Sequence, residues 1–173
     1  MPYLVEKYNQ NQSLAARNCL KSLLTKYNIP LKKDLPQIID HIYLKNFPSI
    51  KVSLSHTRGY VAASFENSSK ILSIGIDIEI FSRPVKPGIE KFFVNSEDDS
   101  KYSLLELWTL KEAAFKALSP LLKDEKLTLK KIWINKNQFG LKNHVYGHIK
   151  KEYLKFKEEK LIASKAVAFE MPR

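Results

Sequence analysis

Ile71-Leu72-Ser73-Ile74-Gly75-Ile76-Asp77-Ile78-Glu79-Ile80 alternates with a period of two. A strand of this pattern sends Asp77 and Glu79 to one face and Ile76, Ile78 and Ile80 to the other. Two carboxylates therefore project side by side from a strand whose opposite face is fully apolar. The run sits between two stretches of helices and short strands, so it marks a junction in the chain.

Downstream, Leu104 to Leu118 has helical periodicity and contains Trp108-Thr109-Leu110-Lys111-Glu112-Ala113-Ala114-Phe115-Lys116. Glu112 and Lys116 are four apart on one helical face, with Trp108, Lys111 and Phe115 on the neighbouring one. Trp108 and Phe115 read as core anchors that hold this helix against the acidic strand. Three carboxylates, Asp77, Glu79 and Glu112, with waters completing an oxygen shell suit Mg²⁺. A lysine ammonium beside such an ion makes chemical sense when the remaining ligands are phosphate oxygens. The chain has no Gly-rich phosphate loop, so phosphate binding falls to metal and side chains.

Upstream, Leu14, Ala15, Leu20, Leu23 and Leu24 predict a helix over about 13–27 with Ser13 as its cap, and Asp34 to Tyr43 predicts a second. Lys51 to Ser55, Tyr60 to Glu66 and Ile71 to Glu79 predict an antiparallel meander of three strands. The second half repeats the order: helices near Gly88 to Val94 and at Leu104 to Leu118, then strands around 127–134, 139–141, 145–149, 153–156 and 162–169. The expected fold class is α+β with two similar lobes, residues 1–80 and 81–173. Each lobe packs helices on a small antiparallel sheet, with the active site at the cleft between them.

The 173 residues are 44% apolar, enough for an ordinary globular core. Lys+Arg 29 against Asp+Glu 18 leaves a net charge of +11, which favours an anionic partner without identifying it. Nucleic acid, a phosphorylated cofactor and an acidic protein all satisfy it. Lys150, Lys151, Lys155 and Lys160 alternate with Tyr153, Leu154, Phe156 and Leu161, the pattern of a solvated strand face. Cys19 is the single cysteine, so no internal disulfide and no Cys/His metal spacing arise. The stretch Met1 to Glu6 lacks the features of a signal peptide, and no apolar run reaches membrane-spanning length. The expected setting is the cytoplasm, with no membrane partner.

Gly75-Ile76-Asp77-Ile78-Glu79 followed at this distance by Trp108-Thr109-Leu110-Lys111-Glu112-Ala113-Ala114-Phe115-Lys116 resembles the paired motifs of the 4′-phosphopantetheinyl transferase superfamily. Val52-Ser53-Leu54-Ser55-His56-Thr57 with Gly59-Tyr60-Val61-Ala62 resembles the Ser-His segment of that family, and Lys91 to Glu97 resembles the segment linking its two metal motifs. The four matches follow the family's order from Lys51 to Lys116. The resemblance implies transfer of the phosphopantetheine arm of coenzyme A to a serine of an acidic apo carrier protein, with release of adenosine 3′,5′-bisphosphate. With 76 residues before Asp77, the chain is similar to the larger, pseudodimeric type that activates peptide and polyketide synthetases, of which it would be a short, monomeric member.

The resemblance also implies roles. Asp77, Glu79 and Glu112 hold Mg²⁺, Lys116 binds pyrophosphate, and Lys111 assists phosphate or serine or else is a plain surface lysine. Glu97 accepts the serine proton, although Ser96-Glu97-Asp98-Asp99-Ser100 reads equally as an acidic helix start. Ser55 and His56 contact coenzyme A phosphate, Arg17 meets the nucleotide 3′-phosphate, and Lys45 is what remains of a Gly-Lys-Pro coenzyme-binding motif. The rival readings are a basic nucleic-acid-binding module, which leaves the three carboxylates without a purpose, and a family member that binds coenzyme A or carrier protein without catalysis. Which carrier is modified, from fatty-acid, polyketide or peptide synthesis, stays open.

Overall fold

The computed structural model describes residues 1–9, 11–31, 34–122, 126–142, 144–156 and 159–169. The first half contains β1 (Tyr3–Lys7), α1 (Gln12–Lys26), β2 (Ile38–Ile39), β3 (Tyr43–Leu44), β4 (Phe47–Thr57) and β5 (Tyr60–Glu66). The second contains β6 (Ile71–Ile80), α2 (Leu104–Leu118), β7 (Ile132–Asn135), β8 (Gln138–Leu141), β9 (His144–Phe156) and β10 (Glu159–Phe169). Two antiparallel five-stranded sheets result, ordered β1-β5-β4-β3-β2 and β6-β10-β9-β8-β7. The two orders are the same: strand, helix, hairpin, then two long strands, with the last strand inserted beside the first. β6 pairs with β10 and belongs to the second sheet, so it does not continue a meander with β4 and β5. The first sheet thus ends with β5 at Glu66.

Helix α1 starts where the Asn11 side chain accepts from the Leu14 amide at 3.1 Å, two residues ahead of the expected Ser13 cap. It ends with Asn28 at φ 56° and with Ile29 N–H bonded to the Leu24 carbonyl, a left-handed stop that asparagine tolerates. Its inner face of Ala16, Cys19, Leu20, Leu23 and Leu24 packs on Val52, Val61, Ala63 and Phe65. The second helix expected from Asp34 to Tyr43 is absent. Asp40 and His41 both adopt positive φ, 52° and 62°, and turn β2 into β3, while the isoleucines at 38, 39 and 42 suit extended backbone.

In the second half, 88–94 forms only a 3₁₀ turn at Glu90–Phe92, and the two strands expected over 145–156 are one, β9. Leu129–Lys131 is likewise a 3₁₀ turn ahead of β7. Helix α2 spans the expected residues. Ser103 and Glu106 form a reciprocal capping box at its start, and Glu106 also takes hydrogen bonds from Lys151 and Tyr153 on β9. The helix lies directly on β6 at Gly75, where an added Cβ would stand 1.9 Å from the Ala113 carbonyl oxygen.

The sheets pack on each other through a third core of Tyr60 and Ala62 from β5, Ile76 and Ile78 from β6, and Leu161 and Ala163 from β10. Two contacts flank it. At one, β4 of the first sheet runs against β6 of the second. At the counterpart, β1 meets β9 and β10: Tyr3 donates to Glu152 at 2.7 Å, Lys165 donates to the other Glu152 oxygen at 2.7 Å, and the Lys165 ammonium lies 4.2 Å from the Tyr3 ring centre.

Candidate active site

The β4–β6 contact gathers most of the candidate side chains. Ser53 and Ser55 alternate on β4, and their hydroxyls accept from the amides of Ile76 at 3.1 Å and Ile78 at 3.4 Å. Ser55 then donates to Asp77 Oδ1 at 2.7 Å, and Thr57 donates to Glu79 Oε2 at 3.0 Å. Because Gly75 shares the face of Asp77 and Glu79, the contact that seats α2 on the strand also aims both carboxylates along that helix. From α2, the Lys116 ammonium donates to Asp77 Oδ1 at 2.7 Å, to the Ile76 carbonyl at 3.0 Å and to Ser55 Oγ at 3.1 Å. Arg83, four residues beyond Glu79, donates to Glu79 Oε1.

Asp77 and Glu79 are each only 6% exposed. Burial pushes the Glu79 carboxyl above its ordinary range and the Asp77 charge adds to this, against the pull of Arg83, Thr57 and Lys116. Glu112 is raised as well, first by burial and then by repulsion from Asp77 and Glu79. No hydrogen bond from a described residue reaches Glu112. Two cations thus stand against three carboxylates in a partly dry site, a charge balance and a hard-oxygen donor set that fit a divalent ion such as Mg²⁺. The carboxylates are not drawn into a ready cage, since among the described residues no three potential ligands converge on one point. Lys116 and Arg83 hold one oxygen each of Asp77 and Glu79.

These groups line a cleft of about 1480 Å³ with walls from both halves: Lys7, Tyr8, Gln12 and β4 residues 54–57 on one side, and Arg83, Trp108, Glu112 and Lys116 on the other. Of the residues singled out in the sequence, Ser55, His56, Asp77, Glu79, Glu112 and Lys116 come together here. Arg17 is exposed on α1 and Lys45 lines a separate small depression with Pro36 and Phe47, so neither borders the cleft. Glu97 is exposed on a turn, not a helix start, and does not line it.

Lys111 is neither a phosphate ligand in this arrangement nor a surface lysine. It is fully buried, and its ammonium is bonded within the second half to Asp98 and to the Phe93 and Ile132 carbonyls. Trp108 packs edge-on against Phe93 with centroids 5.3 Å apart, as an anchor should, and its remaining surface faces the cleft. Sequence reasoning missed Thr57 and Arg83 as carboxylate partners. The parity of β4 signals Thr57, two residues beyond Ser55, whereas Arg83 lies past the strand end, where periodicity carries no information.

A model of the 4′-phosphopantetheinyl transferase superfamily matches residues 73–169, more than half of the chain. The chain belongs to that superfamily. The match begins within β6 and runs through α2 and the other strands of the second sheet, and so includes Asp77, Glu79, Glu112 and Lys116, while β4 and its Ser-His segment lie before it. No curated protein matches in a direct sequence comparison. At the family level, the activity of a 4′-phosphopantetheinyl transferase draws on coenzyme A and a carrier protein. No helix among the described residues is long and apolar enough to cross a membrane.

Proposed function

We propose that this transferase is a monomeric, pseudodimeric-type enzyme of the cytoplasm. It moves the 4′-phosphopantetheine arm of coenzyme A to a serine of an acidic apo carrier protein and releases adenosine 3′,5′-bisphosphate. The observation that carries this reading is the Ser55–Asp77–Lys116 cluster, in which one chain supplies both walls of the cleft. The repeated strand order supports the two-lobed type, and a cleft larger than the roughly 300–1,000 Å³ of ordinary small-molecule sites suits a long cofactor.

In the reaction, the serine oxygen bonds to the phosphorus nearest the pantetheine while the pyrophosphate bridge to that phosphorus breaks. Asp77, Glu79 and Glu112 are the residues that would hold Mg²⁺, which when bound polarises the attacked phosphorus and neutralises the leaving phosphate. The Lys116 ammonium, on a flexible stem in the cleft wall, supplies a second positive charge to the pyrophosphate oxygens. His56 and Arg58 at the cleft lining offer donors to phosphate, and Lys7 with Arg58 takes over the 3′-phosphate role expected of Arg17. The expected proton acceptor Glu97 lies on an exposed turn outside the cleft lining, so the serine proton leaves to a water in the cleft.

The test is mass spectrometry of apo carrier proteins incubated with the enzyme, coenzyme A and Mg²⁺. A gain of one phosphopantetheine that needs both coenzyme A and Mg²⁺ is the expected result. No gain on acyl, polyketide or peptidyl carriers defeats the reading.

A further inference from the structure

Two cations bond to the acidic strand, and they are held differently. The Lys116 ammonium has three donors, and three acceptors meet it: Asp77 Oδ1, the Ile76 carbonyl and Ser55 Oγ. The Arg83 guanidinium has five N–H donors and, among the described residues, uses only Nη1, on Glu79 Oε1. The Arg83 side chain is 52% exposed, against 8% for that of Glu79. It sits on a turn just past β6, where the Arg83 amide donates to the Ile80 carbonyl at 2.9 Å, and it lines the cleft. Its charge also acts on Glu112. Glu79 does not depend on Arg83 for its direction, because Thr57 holds the other carboxylate oxygen at 3.0 Å.

We infer that Arg83 is an exchangeable counter-ion: it holds Glu79 Oε1 until the pyrophosphate of coenzyme A draws it away, and its departure opens that oxygen to a divalent ion. The inference rests on the proposed function and deepens it, since it makes coenzyme binding the event that completes the acidic site. Arg83 is selected over Lys116 on three grounds. It is the half-exposed, singly bonded cation of the two, and an ion pair in contact with water is weakly held. Its planar fork can engage two phosphate oxygens at once. Thr57 keeps Glu79 aimed after the arginine leaves. The acids that do not converge fit the same picture, because Arg83 occupies on Glu79 an oxygen that the ion would take. A purely structural pair would lock the guanidinium with further acceptors, and none meets it among the described residues.

The experiment measures coenzyme A binding in EDTA by calorimetry for wild type, Glu79→Gln, Arg83→Gln and the double variant, with circular dichroism as a check on the fold. Glu79→Gln releases the guanidinium in advance, so coenzyme A should bind about tenfold tighter, whereas in the Arg83→Gln background the same change should gain less than about twofold. Equal gains in both backgrounds would reflect only the loss of a negative charge and would overturn the exchange. Mg²⁺ titrations supply a second readout. Coenzyme A should tighten Mg²⁺ binding by a factor that shrinks about fivefold in Arg83→Gln, because Mg²⁺ then has no guanidinium to displace in the free enzyme. An unchanged factor overturns the exchange as well. Dephospho-coenzyme A, which keeps the pyrophosphate, should reproduce both effects; their loss with it assigns Arg83 to the 3′-phosphate and overturns the pyrophosphate partner. Failure of the wild type to bind coenzyme A overturns the transferase reading together with the exchange, whereas equal gains leave that reading standing.

Discussion

Lys111 Nζ lies 2.6 Å from Asp98 Oδ2, fully enclosed, and gives its other two hydrogens to the Phe93 and Ile132 carbonyls at 2.6 Å each. Asp98 in turn accepts from the amides of Asn95 at 2.7 Å and Ile134 at 2.9 Å. One ion pair thus ties the 93–98 segment, α2 and β7 together. Breaking it strands a buried aspartate, which typically costs about 3–5 kcal/mol. Lys111→Ala should shift the denaturant midpoint sharply downward; a midpoint equal to wild type would show that the pair holds nothing.

Asp77→Asn and Glu112→Gln should reduce transfer roughly a thousandfold, since metal-assisted charge stabilisation is worth several kcal/mol. Glu112→Gln has a second expected effect, because it removes a half-buried carboxylate crowded by Asp77 and Glu79. The metal-free variant should melt above the wild type. Lower melting together with lost activity would assign Glu112 to the fold rather than to the site.

Stability should depend on pH in two opposite windows. Hydrogen bonds from Lys165 and Tyr3 hold Glu152 down at about 2; burial of Glu106 is outweighed by hydrogen bonds from Lys151, Tyr153 and Ser103, which also bring it to about 2. Folded values below the ordinary one mean that this stabilisation is complete above the ordinary carboxylate range and disappears as pH falls toward 2. Glu79 and Glu112 are raised, so their contribution is present at low pH and is lost as pH climbs through their folded values. Thermal melts should therefore show Mg²⁺ stabilising the protein more at pH 8 than at pH 5. An equal Mg²⁺ effect at both would detach the ion from these carboxylates.

Gly75→Ala places a methyl 1.9 Å from the Ala113 carbonyl oxygen, a backbone atom that cannot swing aside. The helix must lift from the strand, at a cost of at least about 1–3 kcal/mol. Glu112 and Lys116 move with it, so transfer should fall further than the loss of folded protein explains. Active-site titration of the soluble fraction separates the two; full activity per folded molecule would contradict the coupling.

Period-two alternation fixed the faces of β6, and helical periodicity fixed α2 end to end, so the carboxylates and Lys116 were legible in the residues alone. What alternation cannot say is which strand lies alongside. The β6 partner is β10, whose paired residues lie 81 to 98 positions away in sequence, and a nearby meander was the simpler expectation. Asp34 to Tyr43 misled because its isoleucines satisfy helical spacing while their β-branching and the left-handed Asp40-His41 pair favour a hairpin. Lys111 carried the opposite lesson. Its place in the motif says nothing of whether its ammonium faces the cleft or the core, which is decided by Asp98 thirteen positions earlier on a separate turn.

The Tyr3–Glu152–Lys165 contact occupies the position across the molecule that corresponds to the cleft, with β1 standing for β6 and β9 for β4. An assembly of two identical subunits would have to repeat every substitution at both such places. Here the two are encoded separately, so one could become a clasp while the other kept its acids. The clasp is therefore where this protein can accumulate stabilising changes without taxing its chemistry, and the cleft is where it cannot.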